Sequence, residues 1–158
     1  MIRRLLGGLA VVLALVTAAP PAARADGECA QQHRRVRLPG GFAEGRLSFV
    51  GIATGGSSRV GTEFAGDGLR ELRVVAAWTD LEGGHHQRVE VFSPDGSLYQ
   101  RFTGAFTATG RPLSVTSRLL VNGTSIVDAG LYGAWCVELF LDDDDAPIAR
   151  RGFVLTAP

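Results

Sequence analysis

Beyond Arg46 the apolar residues come in short runs separated by Gly, Pro, Asn and Asp, and no stretch keeps a long helical period. The clearest alternation covers residues 72–79. There Leu72, Val74, Ala76 and Trp78 fall on one face, with Arg73, Val75, Ala77 and Thr79 on the other. This predicts a strand with Leu72, Val74 and Trp78 in the core. A turn is expected at Glu82-Gly83-Gly84, followed by a half-buried strand over 87–92 that turns Val89 and Val91 inward and Arg88 and Glu90 outward. In Ser93-Pro94-Asp95-Gly96, Pro presets the backbone, Asp bonds locally and Gly accepts positive φ, so residues 98–103 return as a partner strand. Residues 104–112 read as a connection, 113–121 as a strand, Asn122-Gly123 as a hairpin turn and 124–127 as a further short run, with another turn near Gly130. In 135–141, Trp135, Val137, Leu139 and Leu141 alternate with Cys136, Glu138 and Phe140, which makes Trp135, Val137 and Leu139 core. Residues 142–147 form a turn and 148–156 a closing strand.

Seven to nine short strands with a turn every 8 to 12 residues predict an all-β fold, an antiparallel two-sheet sandwich, with a closed barrel as the competitor. The basic stretch 31–37 and the Leu38-Pro39-Gly40-Gly41 that follows it have weak local preference and are expected to run along the surface. The chain of 158 residues divides into 1–25 and a single β-sandwich domain over 26–158, a common size for one core.

Residues 1–25 carry the three parts of a secretion signal: basic Arg3 and Arg4, an apolar run over 5–19, and the small-residue site Ala23-Arg24-Ala25. Cleavage is expected between Ala25 and Asp26. The apolar run is shorter than the roughly 20 residues that cross a bilayer, and Pro20-Pro21 ends any helix, so no membrane span is expected after cleavage. A lipid anchor on Cys29 is disfavoured because Gly27-Glu28, rather than small apolar residues, precede it. Export into the periplasm or the medium places Cys29 and Cys136 in an oxidising compartment. Two cysteines there read as one disulfide, closing a loop of about 107 residues and contributing roughly 4 to 5 kcal/mol by loop entropy. Without a Cys-x-x-Cys spacing, a redox role has no support.

Composition then removes whole classes of function. Beyond Ala25 there are 13 basic and 16 acidic residues, a net charge of −3, so no basic stripe points to nucleic acid. All sixteen basic residues of the chain are Arg, a bias that, with the high Gly and Ala content, fits a GC-rich bacterial genome.

Two segments carry a resemblance. Val89-Glu90-Val91-Phe92-Ser93-Pro94-Asp95-Gly96-Ser97-Leu98-Tyr99 and Gly133-Ala134-Trp135-Cys136-Val137-Glu138-Leu139-Phe140-Leu141-Asp142 resemble pieces of bacterial immunoglobulin-like and macroglobulin-like sandwich domains of exported proteins. The likeness spans about residues 69–156, and a Cys stands in the Trp strand where Thr or Ser is commoner. It implies a scaffold for adhesion, spacing or accessory binding, with no catalytic residues.

Candidate chemistry is sparse. His85 and His86 could offer imidazoles to zinc or copper, with His33 as a third ligand, yet neighbours on a strand point to opposite faces and exposed loop histidines explain them as well. A blue-copper centre is excluded, because its Cys is committed and the initiator is the only Met. The run Asp142, Asp143, Asp144 and Asp145 could attract calcium, but consecutive residues of a tight turn cannot all converge, and a solvated turn that discourages edge aggregation is the plainer reading. Gly55-Gly56-Ser57-Ser58 lacks the closing Gly of a nucleophile elbow, and Asn122-Gly123-Thr124, formally a glycosylation acceptor, reads as a turn. The expectation is an exported, non-catalytic module without a cofactor, in a structural role or binding an envelope or extracellular protein. A divalent-metal-binding periplasmic protein and a secreted hydrolase are the alternatives.

Overall fold

The computed structural model describes residues 29–39 and 41–158; the expected signal, with its Ala25-Asp26 junction, lies outside the described residues. The strands in chain order are β1 (Gln32–His33), β2 (Arg35–Leu38), β3 (Gly41–Ala53), β4 (Ser58–Val60), β5 (Glu63–Ala65), β6 (Leu69–Thr79), β7 (Glu82–Phe92), β8 (Leu98–Thr109), β9 (Leu113–Leu120), β10 (Gly133–Leu141) and β11 (Ala149–Thr156), with one helical turn, α1 (Ser125–Asp128). Two sheets pack face to face in an all-β sandwich. Sheet A runs β1-β11-β10-β7-β8 with β5 beside β11, and sheet B runs β2-β3-β6-β9 with β4 beside β3. Pairing is antiparallel throughout except for the short β5, which lies parallel to β11.

One apolar cluster fills the space between the sheets. Leu72, Val74 and Trp78 come from sheet B, and Val89, Val91, Trp135, Val137 and Leu139 from sheet A; none of them is more than 1% exposed. Trp135 stacks on Phe153 at 5.8 Å, and Phe153 meets Phe49 of the opposite sheet edge-on at 5.2 Å. Each buried indole has its N–H satisfied. Trp135 Nε1 donates to Leu131 O at 3.1 Å, and Trp78 Nε1 donates across the sheets to the buried Gln87 Oε1 at 3.0 Å.

Several sequence-based boundaries are corrected. The chain turns at Asp80, whose φ is 59°, and Glu82-Gly83-Gly84 already belong to β7, paired with Thr109, Ala108 and Thr107. The residues read as a connection, 104–112, instead extend β8 to Thr109, because the β-branched Thr107 and the ring of Phe106, stacked on Trp78 at 6.0 Å, hold that segment against β7. The short run after Asn122-Gly123 is a helical turn, not a strand. Thr124 caps it, its hydroxyl accepting from Ile126 N–H at 3.3 Å, while the fully buried Ile126 anchors it to the core. At the other end β3 begins at Gly41, five residues before the alternation becomes visible, since Gly45 must stay small beneath Trp78. A Cβ there would lie 2.6 Å from the indole.

Candidate functional site

The disulfide is the most distinctive local construction. Cys136 sits on the outer face of β10, directly opposite Gly152 on β11. Cys29, just before β1, passes over that glycine to reach Cys136, with the two Cα atoms 5.3 Å apart. A Cβ on Gly152 would stand 3.1 Å from Cys29 Cβ and 3.2 Å from Trp135 O, so the absent side chain is the room through which the bridge runs. The bridge thereby fastens the segment that leads into the edge strand β1 over the outer face of sheet A, not through the core. A cleft of about 680 Å³ opens beside the bridge, lined by Gln31, Thr62, Ala134 and Arg151 among others. Arg151 is anchored there, its Nη1 donating to Leu47 O at 2.7 Å.

The outer faces of both sheets carry arginine–glutamate pairs. On sheet B the completely buried Glu71 accepts from Arg73 Nε at 2.9 Å and Arg118 Nε at 3.1 Å, and these two arginines, Arg118 first, hold its carboxyl below its ordinary range. Glu44 is held down in the same way by Arg46. On sheet A, Arg150 donates to the buried Glu138 through Nε at 2.9 Å and a terminal nitrogen at 2.6 Å, and the Arg88 guanidinium lies 4.1 Å over the Phe140 ring. These carboxylates are roofed by arginine stems, some from the same strand, as Arg73 over Glu71 and Arg46 beside Glu44, and some from a neighbouring strand, as Arg118 and Arg150, which carry no local sequence signal.

The candidate metal ligands separate into distinct roles. His85 Nδ1 lies 3.0 Å from Asp142 Oδ2 and its Nε2 lies 3.1 Å from Glu82 O, while the other Asp142 oxygen accepts His86 N–H at 2.9 Å. Asp142, at φ 51°, is therefore a connector that locks the start of β7 to the end of β10. Asp144 is paired with Arg34, which also donates to Ala146 O and Pro147 O and holds the Asp144 carboxyl below its usual range. Asp143 and Asp145 project from the turn. His33 stands on β1, three strands from His85 across the sheet, roughly 14 Å at ordinary strand spacing. Among the described residues no group of three or more His, Cys, Asp or Glu is arranged to hold a metal ion. Among them, too, no helix is long and apolar enough to cross a membrane.

The Pro-Asp-Gly turn is tightly bonded. Asp95 Oδ1 accepts from the Ser93 hydroxyl at 2.6 Å, the Ser97 hydroxyl at 2.7 Å and Ser97 N–H at 3.0 Å, which lowers the Asp95 carboxyl to about 2. These bonds serve the turn itself. No protein-family model matches the chain, and no curated protein matches it.

Proposed function

We propose that this chain is an exported, non-catalytic immunoglobulin-like module that acts by binding a protein of the cell envelope or the extracellular space. The observation that carries the reading is the Cys29–Cys136 bridge, laid over Gly152 so that it ties down the segment next to the expected cleavage site. Structural disulfides are concentrated in compartments where thiols oxidise, which supports export. Strand order supports the immunoglobulin-like assignment. In that topology the first, second and fifth strands share one sheet and the third, sixth and seventh the other. Counting the long strands, β3-β6-β9 and β7-β10-β11 follow this division, while the fourth, β8, which constant-type domains place beside the fifth, instead joins β7 at the edge. Cys136 falls on the sixth strand but faces outward, so the bridge differs from the one that crosses an antibody core.

Three side chains with catalytic potential are engaged in structural pairs: His85 with Asp142, Glu71 with Arg118, Glu138 with Arg150. This supports a role exerted through surfaces. The test is in-cell cross-linking of the tagged protein in its native host, followed by quantitative mass spectrometry. The reading expects an exported protein enriched over a Cys29→Ser/Cys136→Ser control. Recovery of the chain from the cytoplasm, or turnover of generic ester, glycoside or peptide substrates by the pure protein, would overturn it.

A further inference from the structure

The sandwich protects its sheet edges unevenly. On one side, β11 is covered by β1 and β5, two and three residues long, and β3 by β2 and β4, four and three residues long. On the other side sheet A ends in β8, twelve residues long, with no strand beyond it among the described residues. Natural edges are usually shortened or guarded with Lys, Pro or inward charges. Arg101 is the single charged residue of β8, and the strand contains no Pro.

The backbone phase of this edge follows from its pairing. Gly110 N–H donates to Leu81 O at 2.7 Å, and the register to β7 holds without a shift from Thr109 back to Gln100. In an antiparallel ladder the bonded residues alternate. Gly104, Phe102 and Phe106 therefore direct their N–H and C=O groups to β7, whereas Arg101, Thr103, Ala105 and Thr107 direct theirs outward. Among the described residues no backbone bond from another element reaches these four. The side chains alternate in the same phase. Phe102 and Phe106 face the core side and remain half-buried, two residues either side of Gly104, which has open space around it.

We infer that β8 is a self-association edge, pairing antiparallel with β8 of a second copy about a two-fold axis at Gly104. A continuous sheet requires facing residues to point to the same side, so the paired numbers must have an even sum. Centring on Gly104 sets Phe102 against the second copy's Phe106, and Phe106 against its Phe102, covering four half-buried rings with one another. Thr103 then meets Ala105 and Arg101 meets Thr107, so no two arginines oppose each other. The outward groups of those four residues form eight new backbone bonds across the axis. An isologous contact of this kind closes after two copies and does not propagate into fibres.

The exported, disulfide-bonded protein is to be examined by sedimentation velocity over a concentration series, with three variants. The wild type is expected to shift from monomer to dimer with rising concentration. Ala105→Pro removes an outward N–H that β7 does not use, so it should melt near the wild type while weakening the dimer roughly tenfold or more. Gly104→Cys places two Cα atoms about 4.5 Å apart at a non-bonded pair, within disulfide reach, and should yield a covalent dimer on mild oxidation. Thr107→Cys should not, because its symmetry mate lies about six residues along the strand, roughly 20 Å away. A wild type that stays monomeric at millimolar concentration, a dimer that Ala105→Pro leaves intact, or equal cross-linking of both cysteine variants would overturn the proposal.

Discussion

Replacing Gln87 by Leu tests how the two sheets are held in register. Gln87 is 4% exposed and its Oε1 accepts the indole N–H of Trp78, itself completely buried, so this hydrogen bond joins β7 of sheet A to β6 of sheet B. Leucine keeps most of the volume but leaves the indole donor without an acceptor in a dry site, where an unmet polar group costs about 1 to 3 kcal/mol. For a chain of this length, that corresponds to a fall in Tm of roughly 2 to 12 °C. The assay is thermal and urea unfolding followed by tryptophan fluorescence, for the single variant and in a Trp78→Phe background. With the donor already gone, the same Gln87→Leu change should cost less than about 0.5 kcal/mol or become stabilising, because it then removes an unpaired buried amide. An equal loss in both backgrounds, or no loss in the wild type, would refute the claim that this bond is formed in the core.

Three further outcomes follow from the same packing. Cys29→Ser/Cys136→Ser should lower the unfolding free energy by as much as about 4 to 5 kcal/mol, read from urea denaturation, with native sheet content retained in far-ultraviolet circular dichroism if the bridge acts chiefly on the unfolded chain. Gly45→Ala drives a methyl 2.6 Å from the fully buried Trp78 ring, and the resulting repacking should destabilise by about 1 to 3 kcal/mol with a changed near-ultraviolet signal. Asp95, lowered from 3.8 to about 2 by the Ser93 and Ser97 bonds, contributes stability that is fully present above about pH 4 and is lost as pH falls through 2. Subtracting the stability–pH curve of Asp95→Asn should expose that limb, and a flat difference would show that the carboxylate bonds do not form.

The central strands were legible because burial on one face imposes period two. Leu72, Val74 and Trp78, and likewise Trp135, Val137 and Leu139, need no partner's identity to reveal which side is wet. The Pro94-Asp95-Gly96 turn was legible for a similar reason, since its preferences are intrinsic to those residues. What escaped depends on distant neighbours. The early half of β3 hides behind Gly45, a residue chosen by the ring of Trp78 lying above it. The last part of β8 hides behind Gly104 and Ala105, which are strand only because β7 offers a matching ladder. Glu71 and Glu138 look like solvent-facing positions until Arg118 and Arg150 arrive from 47 and 12 residues away. Of the candidate ligands, His85 and Asp142 do meet, but across β7 and β10, a juxtaposition that adjacency in sequence could not announce.

Non-reducing peptide mapping of the protein recovered from its native host, with its N-terminus sequenced, addresses the account at its root. A chain beginning at Asp26 and carrying a Cys29–Cys136 cross-linked peptide is the predicted result. Free thiols at both positions in a chain that retains residues 1–25 would contradict it.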